Sequence, residues 1–367
     1  MLSLGTLRNT ARAAPWEALG WAGLGFSLLL FFLRLPYFMR EGALTFVENV
    51  THHLFVLTWL LLATAFTRTL PLRTVVAFWL IGLYPMMGLA LLAGKPMASL
   101  FGLDGHFVPD FWVPLTEEAL KAAPVLLYLG LAAWRGRWQP APSDGLLLGF
   151  AVGAGFSIHE DAVWGRTAGS GWFSGSLLSL PLPVIEVRDA VFQEPRMILG
   201  HAGWTGLVGL ALGLAFLLRR SILGWTVALA ALGVVALDHL VGNFLGGLFL
   251  EAPPLLITLL DGLLLDGRLP VILLLLDVVA ALAFELWVLR WAAARERLFP
   301  PIPLPVMIGS LSSGVTLDAL RRLQAIRVYL RHRRAAHYAA WRWSRGAVPP
   351  DDVTDRMAGT LFALGLA

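Results

Sequence analysis

Four short stretches of this chain set carboxylates, imidazoles and an amide at helical spacing inside otherwise apolar sequence. They are Thr116-Glu117-Glu118-Ala119-Leu120-Lys121, Phe156-Ser157-Ile158-His159-Glu160-Asp161, a glycine-rich run opening at His201, and Asp238-His239 followed by Asn243. Hydrolysing an amide needs an activated water and a group that stabilises the developing oxyanion, and these residue types can supply both. Glu117 or Glu118 would be the general base. His201 and His239, with Asn243, would polarise a carbonyl or hold a divalent metal. Zinc suits such a set, because it accepts His nitrogen and carboxylate oxygen and keeps a position open for water in catalytic sites. Cysteine is absent, so a thiolate nucleophile and cysteine metal ligands are excluded. With no H-E-x-x-H pattern, the expected ligands Glu160, His201 and His239 are pooled from separate stretches, and a metal-free glutamate mechanism uses the same residues.

Spacing supports a shared face. Glu117 and Lys121 stand at i, i+4 and can pair on one side of a helix, and His239 and Asn243 have the same separation. Glu118 is turned about 100° from Glu117 at 3.6 residues per turn, so one glutamate can face a cavity while the other meets a neighbouring helix. Each group also has a plainer reading: a register-fixing charge pair, a helix-end carboxylate for Glu160, a packing histidine for His201. Two adjacent glutamates with one lysine leave an acid uncompensated, which favours chemistry. Lys121, Asp238 and Asn243 are expected in supporting roles, Asp238 by orienting His239 or a neighbour. Asp161 is expected at the interface, and Asp277 and Glu285 as polar contacts within the bundle.

The elements that must carry these residues follow from composition. The chain is 57% hydrophobic and 14% charged, with mean hydropathy +0.72, against about 25% charged in soluble domains. A helix needs about 20 mostly apolar residues to cross a bilayer, and only helices or closed barrels satisfy their backbone groups there. Candidate spans fall at roughly 16–35, 53–67, 73–93, 111–134, 145–164, 197–218, 222–250 and 269–292, while 254–265 is too short. The predicted fold is thus an all-α polytopic bundle of about eight spans over residues 1–299, with a catalytic core near 105–250.

Arginines at 8 and 12, 68 and 73, 135 and 137, 219 and 220, and 290, 295 and 297 mark every second loop. Arginine excess marks cytoplasmic loops, so both termini are expected in the cytoplasm of a cell-membrane protein. All four polar groups then share one depth, in the outer half of the bilayer. Ionisable groups at mid-span cost roughly 2.5 to 3.5 kcal/mol each and are functional candidates by default. The segment 165–196 is the expected outer lid. Residues 300–367 form a proline-rich linker and an arginine-rich helix expected on anionic lipid at the inner surface; no nucleic-acid partner is expected. A proton or ion pathway is the rival class, but such a path needs polar residues continuing into the inner half, where few are seen. A non-catalytic scaffold on the same framework is a further alternative.

At these residues the chain resembles the PrsW family of intramembrane proteases, within the wider group that holds the CAAX-prenyl-protease-like membrane enzymes. Glu117-Glu118-Ala119-Leu120-Lys121 matches E-E-x-x-K, Phe156 to Glu160 matches F-x-x-x-E, the run from His201 looks like the histidine span, and His239 to Asn243 matches H-x-x-x-N or D. Asp161 departs from the Asn expected in many relatives. The resemblance implies a metalloprotease that cuts a membrane-anchored protein such as an anti-sigma factor.

Overall fold

The computed structural model describes residues 49–94, 112–134, 140–164, 185–188, 195–218, 221–243 and 254–293, with isolated positions between 25 and 47, 99 and 102, and 330 and 341. Among the described residues the chain forms helices α1 (Asn49–Ala63), α2 (Leu72–Ala93), α3 (Val113–Trp134) and α4 (Pro142–Trp164). A hairpin of β1 (Ile185–Arg188) and β2 (Pro195–Ile198) follows, then α5 (Gly200–Leu217), α6 (Ile222–Asn243), α7 (Pro254–Leu263) and α8 (Arg268–Ala293). The expected span at 16–35, most of the segment 165–196 and the linker after 300 lie outside the described residues.

Among the described residues four stretches are long and apolar enough to cross a membrane: α2, α5, α6 and Thr258–Ala292. The last is not one rod. Leu265, Asp266 and Gly267 take φ of 54°, 54° and 76°, left-handed values that no helix continues through, so α7 stops and α8 runs on alone. Helices α3 and α4 have 22 and 23 residues, about 33 Å at 1.5 Å per residue, and they carry the polar groups. Leucines 91, 126, 127, 229 and 276 and Val279 stand exposed on helix surfaces, an arrangement that suits lipid and not water.

Helix α5 is the axle of the bundle. Every residue of it except Leu214 is buried, as expected of a helix apolar all round. Its tightest neighbour is α4, where Gly145, Gly149 and Gly153 repeat every fourth residue on one face. A Cβ at any of them would overlap a carbonyl oxygen of α5, that of Gly209, Thr205 or His201 respectively. Small residues let helix backbones close in this way. The close packing expected of the run after His201 is present, with its glycine partners on α4.

At the end opposite those overlaps with His201, α4 begins on a buried carboxylate. Asp144 accepts from the backbone N–H groups of Thr69 at 2.8 Å, Leu70 at 3.1 Å and Ala141 at 2.8 Å, and from the Thr69 hydroxyl. Nearby, Glu285 accepts the Ser143 N–H at 2.5 Å, the bundle contact expected of it. These acids bind backbone donors at helix ends, as a cap does.

Part of the arginine-rich tail packs against the bundle. Tyr338 and Trp341 are buried with Leu217 and Val288, the Tyr338 hydroxyl donates to the Thr67 carbonyl at 3.3 Å, and Arg334 donates to the Ala65 carbonyl at 3.2 Å. Aromatic and guanidinium groups on the same helix thus find partners in the bundle itself. Burial lowers the Arg334 pKa, and burial likewise raises that of Tyr338.

Candidate active site

Helices α3 and α5 bring their polar residues in near their first turns, α4 and α6 near their last. Because the four alternate in direction, Glu117, Glu118, Lys121, Glu160, His201 and His239 meet at one end of the bundle, as their spacing predicts.

Lys121 is the fixed cation. Its Nζ donates to Glu118 Oε1 at 2.5 Å and to His201 Nδ1 at 2.6 Å, and lies 4.7 Å from the centre of the Phe156 ring. With Nδ1 accepting, His201 carries its proton on Nε2 and donates to Glu160 Oε2 at 2.5 Å. Glu118 Oε1 also accepts from His239 Nδ1 at 2.8 Å. That bond leaves the lone pair of His239 Nε2 turned toward Glu117 Oε2, 3.8 Å away.

The two adjacent glutamates therefore differ in kind. Glu118 and Lys121 have side chains 1% and 0% exposed and form a closed pair that fixes two imidazoles. Glu117 and Glu160, at 14% and 18%, are the carboxylates that solvent or a substrate can reach. Just over a quarter-turn of helix separates the two tasks, the roughly 100° offset of adjacent residues.

Around them stands an aromatic wall. Trp204 stacks on His239 with centroids 4.5 Å apart and 22° between planes, and its indole N–H donates to Asp238 Oδ2 at 2.7 Å. Asp238 thus orients a neighbour of His239. The His201 and His239 rings are 5.0 Å apart, and Phe156 is 5.0 Å from His201. The one sign of Trp204 in the sequence is its place three residues after His201.

Three further residues take defined places. Asp161 is buried and accepts from the Ser157 hydroxyl at 2.9 Å, one turn earlier on α4. Asn243, the last residue of α6, makes no side-chain hydrogen bond among the described residues. His159 was assigned no role, yet its Nδ1 lies 2.6 Å from the Leu83 carbonyl. That carbonyl belongs to a π-helical turn, Gly82–Met86, containing Pro85, and π-turns release backbone groups that regular helix would bind internally.

The ligand atoms of Glu117, His201 and His239 all lie within 4.8 Å of one another. Ligand atoms on a tetrahedral zinc with bonds near about 2.1 Å stand about 3.4 Å apart, so the widest pair would draw in by about 1.4 Å to close the set. Glu118 behind His239 is the carboxylate partner that metal-binding imidazoles commonly have. His239 Nε2 and Glu117 present free lone pairs, and His201 would exchange one of its two present contacts. The donor set fits a divalent ion, with Glu160 placed against His201 where the sequence reading had made it a ligand.

Residues 70–275 match the model of a family described as PrsW family intramembrane metalloprotease. No curated protein and no solved structure gives a match.

Proposed function

The chain belongs to the PrsW family of intramembrane metalloproteases, and on that premise we propose that Glu117, His201 and His239 form the centre at which it cuts a membrane-anchored protein. One observation carries the assignment: an accessible glutamate and two oriented imidazoles converge within 4.8 Å, from three helices. Glu117 accepts a proton from the attacking water and returns it to the leaving nitrogen. Glu118 and Lys121 hold His239 and His201 in the tautomers the site needs, and Glu160 steadies His201 from its other side. A divalent metal, zinc by its ligand types, would be held by His201, His239 and one oxygen of Glu117, and would lower the pKa of water and polarise the scissile carbonyl. The second oxygen of Glu117 remains to take the proton.

The arginine pattern puts this centre toward the external leaflet, with about eight spans and both termini in the cytoplasm. Residues 1–299 are then the membrane domain, with its core near 105–250, and 300–367 the cytoplasmic tail, whose remaining arginines meet anionic lipid. A site at that depth suits the outer portion of a single-span substrate such as an anti-sigma factor.

The test compares purified wild-type protein with Glu117→Gln on single-span substrates. Loss of about 10²–10⁴-fold in kcat is expected for a missing general base, with folding unchanged. Equal cleavage by both proteins would remove the assignment, and retention of the activity after the metal is stripped would favour glutamate acting alone.

A further inference from the structure

Helix α1 precedes the segment matched by the family model, which begins at residue 70, yet it delivers a histidine to the wall of the site. His53 is 4% exposed, and neither ring nitrogen has a hydrogen-bond partner among the described residues. It meets the rings of His52 at 5.3 Å and Phe150 at 6.5 Å, and it lies close enough to His201 for their charges to interact. Lys121 and Glu160 are the charged groups on the far side of His201.

A second orphan lies on α5. The Thr205 hydroxyl, on a residue 1% exposed, is also without a partner among the described residues. It stands four residues after His201 and so on the same helix face. Phe150, which meets His53, follows Gly149, whose backbone abuts Thr205. Both orphans thus lie along α4 at its seam with α5, His53 against Phe150 and Thr205 against Gly149.

Buried polar groups are almost always hydrogen-bonded, so these need a partner from outside the chain. A neutral imidazole offers one donor and one acceptor, and a hydroxyl offers both. Water matches that pattern and is small enough for a buried polar recess. Peptide hydrolysis also consumes it: as the C–N bond breaks, the hydroxyl goes to the carbonyl carbon and the proton to the leaving nitrogen.

We propose that His53, together with Thr205, holds ordered water behind His201 and supplies it to the reacting centre, His53 acting as a positioning residue. The supply role rests on the hydrolytic reading above; the water site does not. Density for water within hydrogen-bond distance of His53 is therefore the first measurement, in a map that also resolves water at Glu117. Kinetics follow: His53→Leu should lower kcat about tenfold with KM unchanged, and His53→Gln, which keeps a donor and an acceptor, should stay within about threefold of wild type. Thr205→Val should show a smaller fall of the same kind and serves if the leucine variant does not fold.

A dry His53 in that map overturns the proposal. So does equal loss in the leucine and glutamine variants, or loss of bound metal on His53→Leu, which would make the residue a ligand. A hydrated His53 in a protein that cleaves nothing leaves the water site standing and removes the hydrolytic reading instead.

Discussion

Replacing Gly153 by alanine tests whether the site depends on the contact between α4 and α5. The added Cβ would overlap the His201 carbonyl oxygen and lie 2.8 Å from Ala202 Cα. Carbon atoms rest at about 3.5–4.0 Å, so the helices must part by about 1 Å at that level. Glu160 lies two turns further along α4, and its 2.5 Å contact with His201 spans the same interface. Adding about 1 Å brings that contact to the limit of a hydrogen bond. Misplacement on this scale costs about 10²-fold in rate, while overpacking costs about 1–3 kcal/mol in stability. Gly233→Ala on α6, where a Cβ meets nothing within 4 Å, is the matched control and should keep full activity. Cleavage of a single-span substrate, thermal unfolding and metal content would be measured for both variants. If Gly153→Ala cleaves within about threefold of wild type, the dependence of the site on this seam is wrong.

Lys121→Met leaves Glu118 charged and buried without its cation, which should cost about 3–5 kcal/mol; adding Glu118→Gln should recover part of that in thermal unfolding. Purified protein should contain close to one divalent ion per chain, falling severalfold in His201→Ala and His239→Ala when measured by elemental analysis. Asp144→Ala removes an acceptor of three backbone N–H groups at the far end of the bundle. It should lower stability by about 3 kcal/mol yet leave the kcat of the folded protein unchanged.

Much of the site could be read from residue spacing, because helices convert sequence intervals into faces. Successive helices alternate in direction, so polar residues near the starts of α3 and α5 and near the ends of α4 and α6 fall at one level, which is how Glu117, Glu160, His201 and His239 come together. What stayed hidden depends on contacts between helices. Lys121 could pair with Glu117 at i, i+4 or with Glu118 at i, i+3; it takes Glu118, which His239 from α6 also binds, 121 residues away in sequence. The Trp204 indole gains meaning only through Asp238. The hairpin of β1 and β2 has only four residues a strand, too short for the alternation in Ile185-Glu186-Val187-Arg188 to stand out, and the polar end at Asp144 is illegible in sequence because Asp144 serves backbone groups of a distant loop. The docking of Tyr338 and Trp341 needed partners from α5 and α8, which an amphipathic pattern alone cannot name.

The glycine seam also limits how such a molecule can breathe. Where two rods touch backbone to backbone there is no layer of side chains to slide or repack, so α4 and α5 move as a single weld. A membrane segment destined for cutting has to enter by another wall. Helix α6 is held far more loosely than α5, with 28% of its apolar stretch buried against 94%, and it carries His239. The doorway and one of the two imidazoles would then travel together, so that admitting a guest unmakes the centre and closing behind it restores the centre.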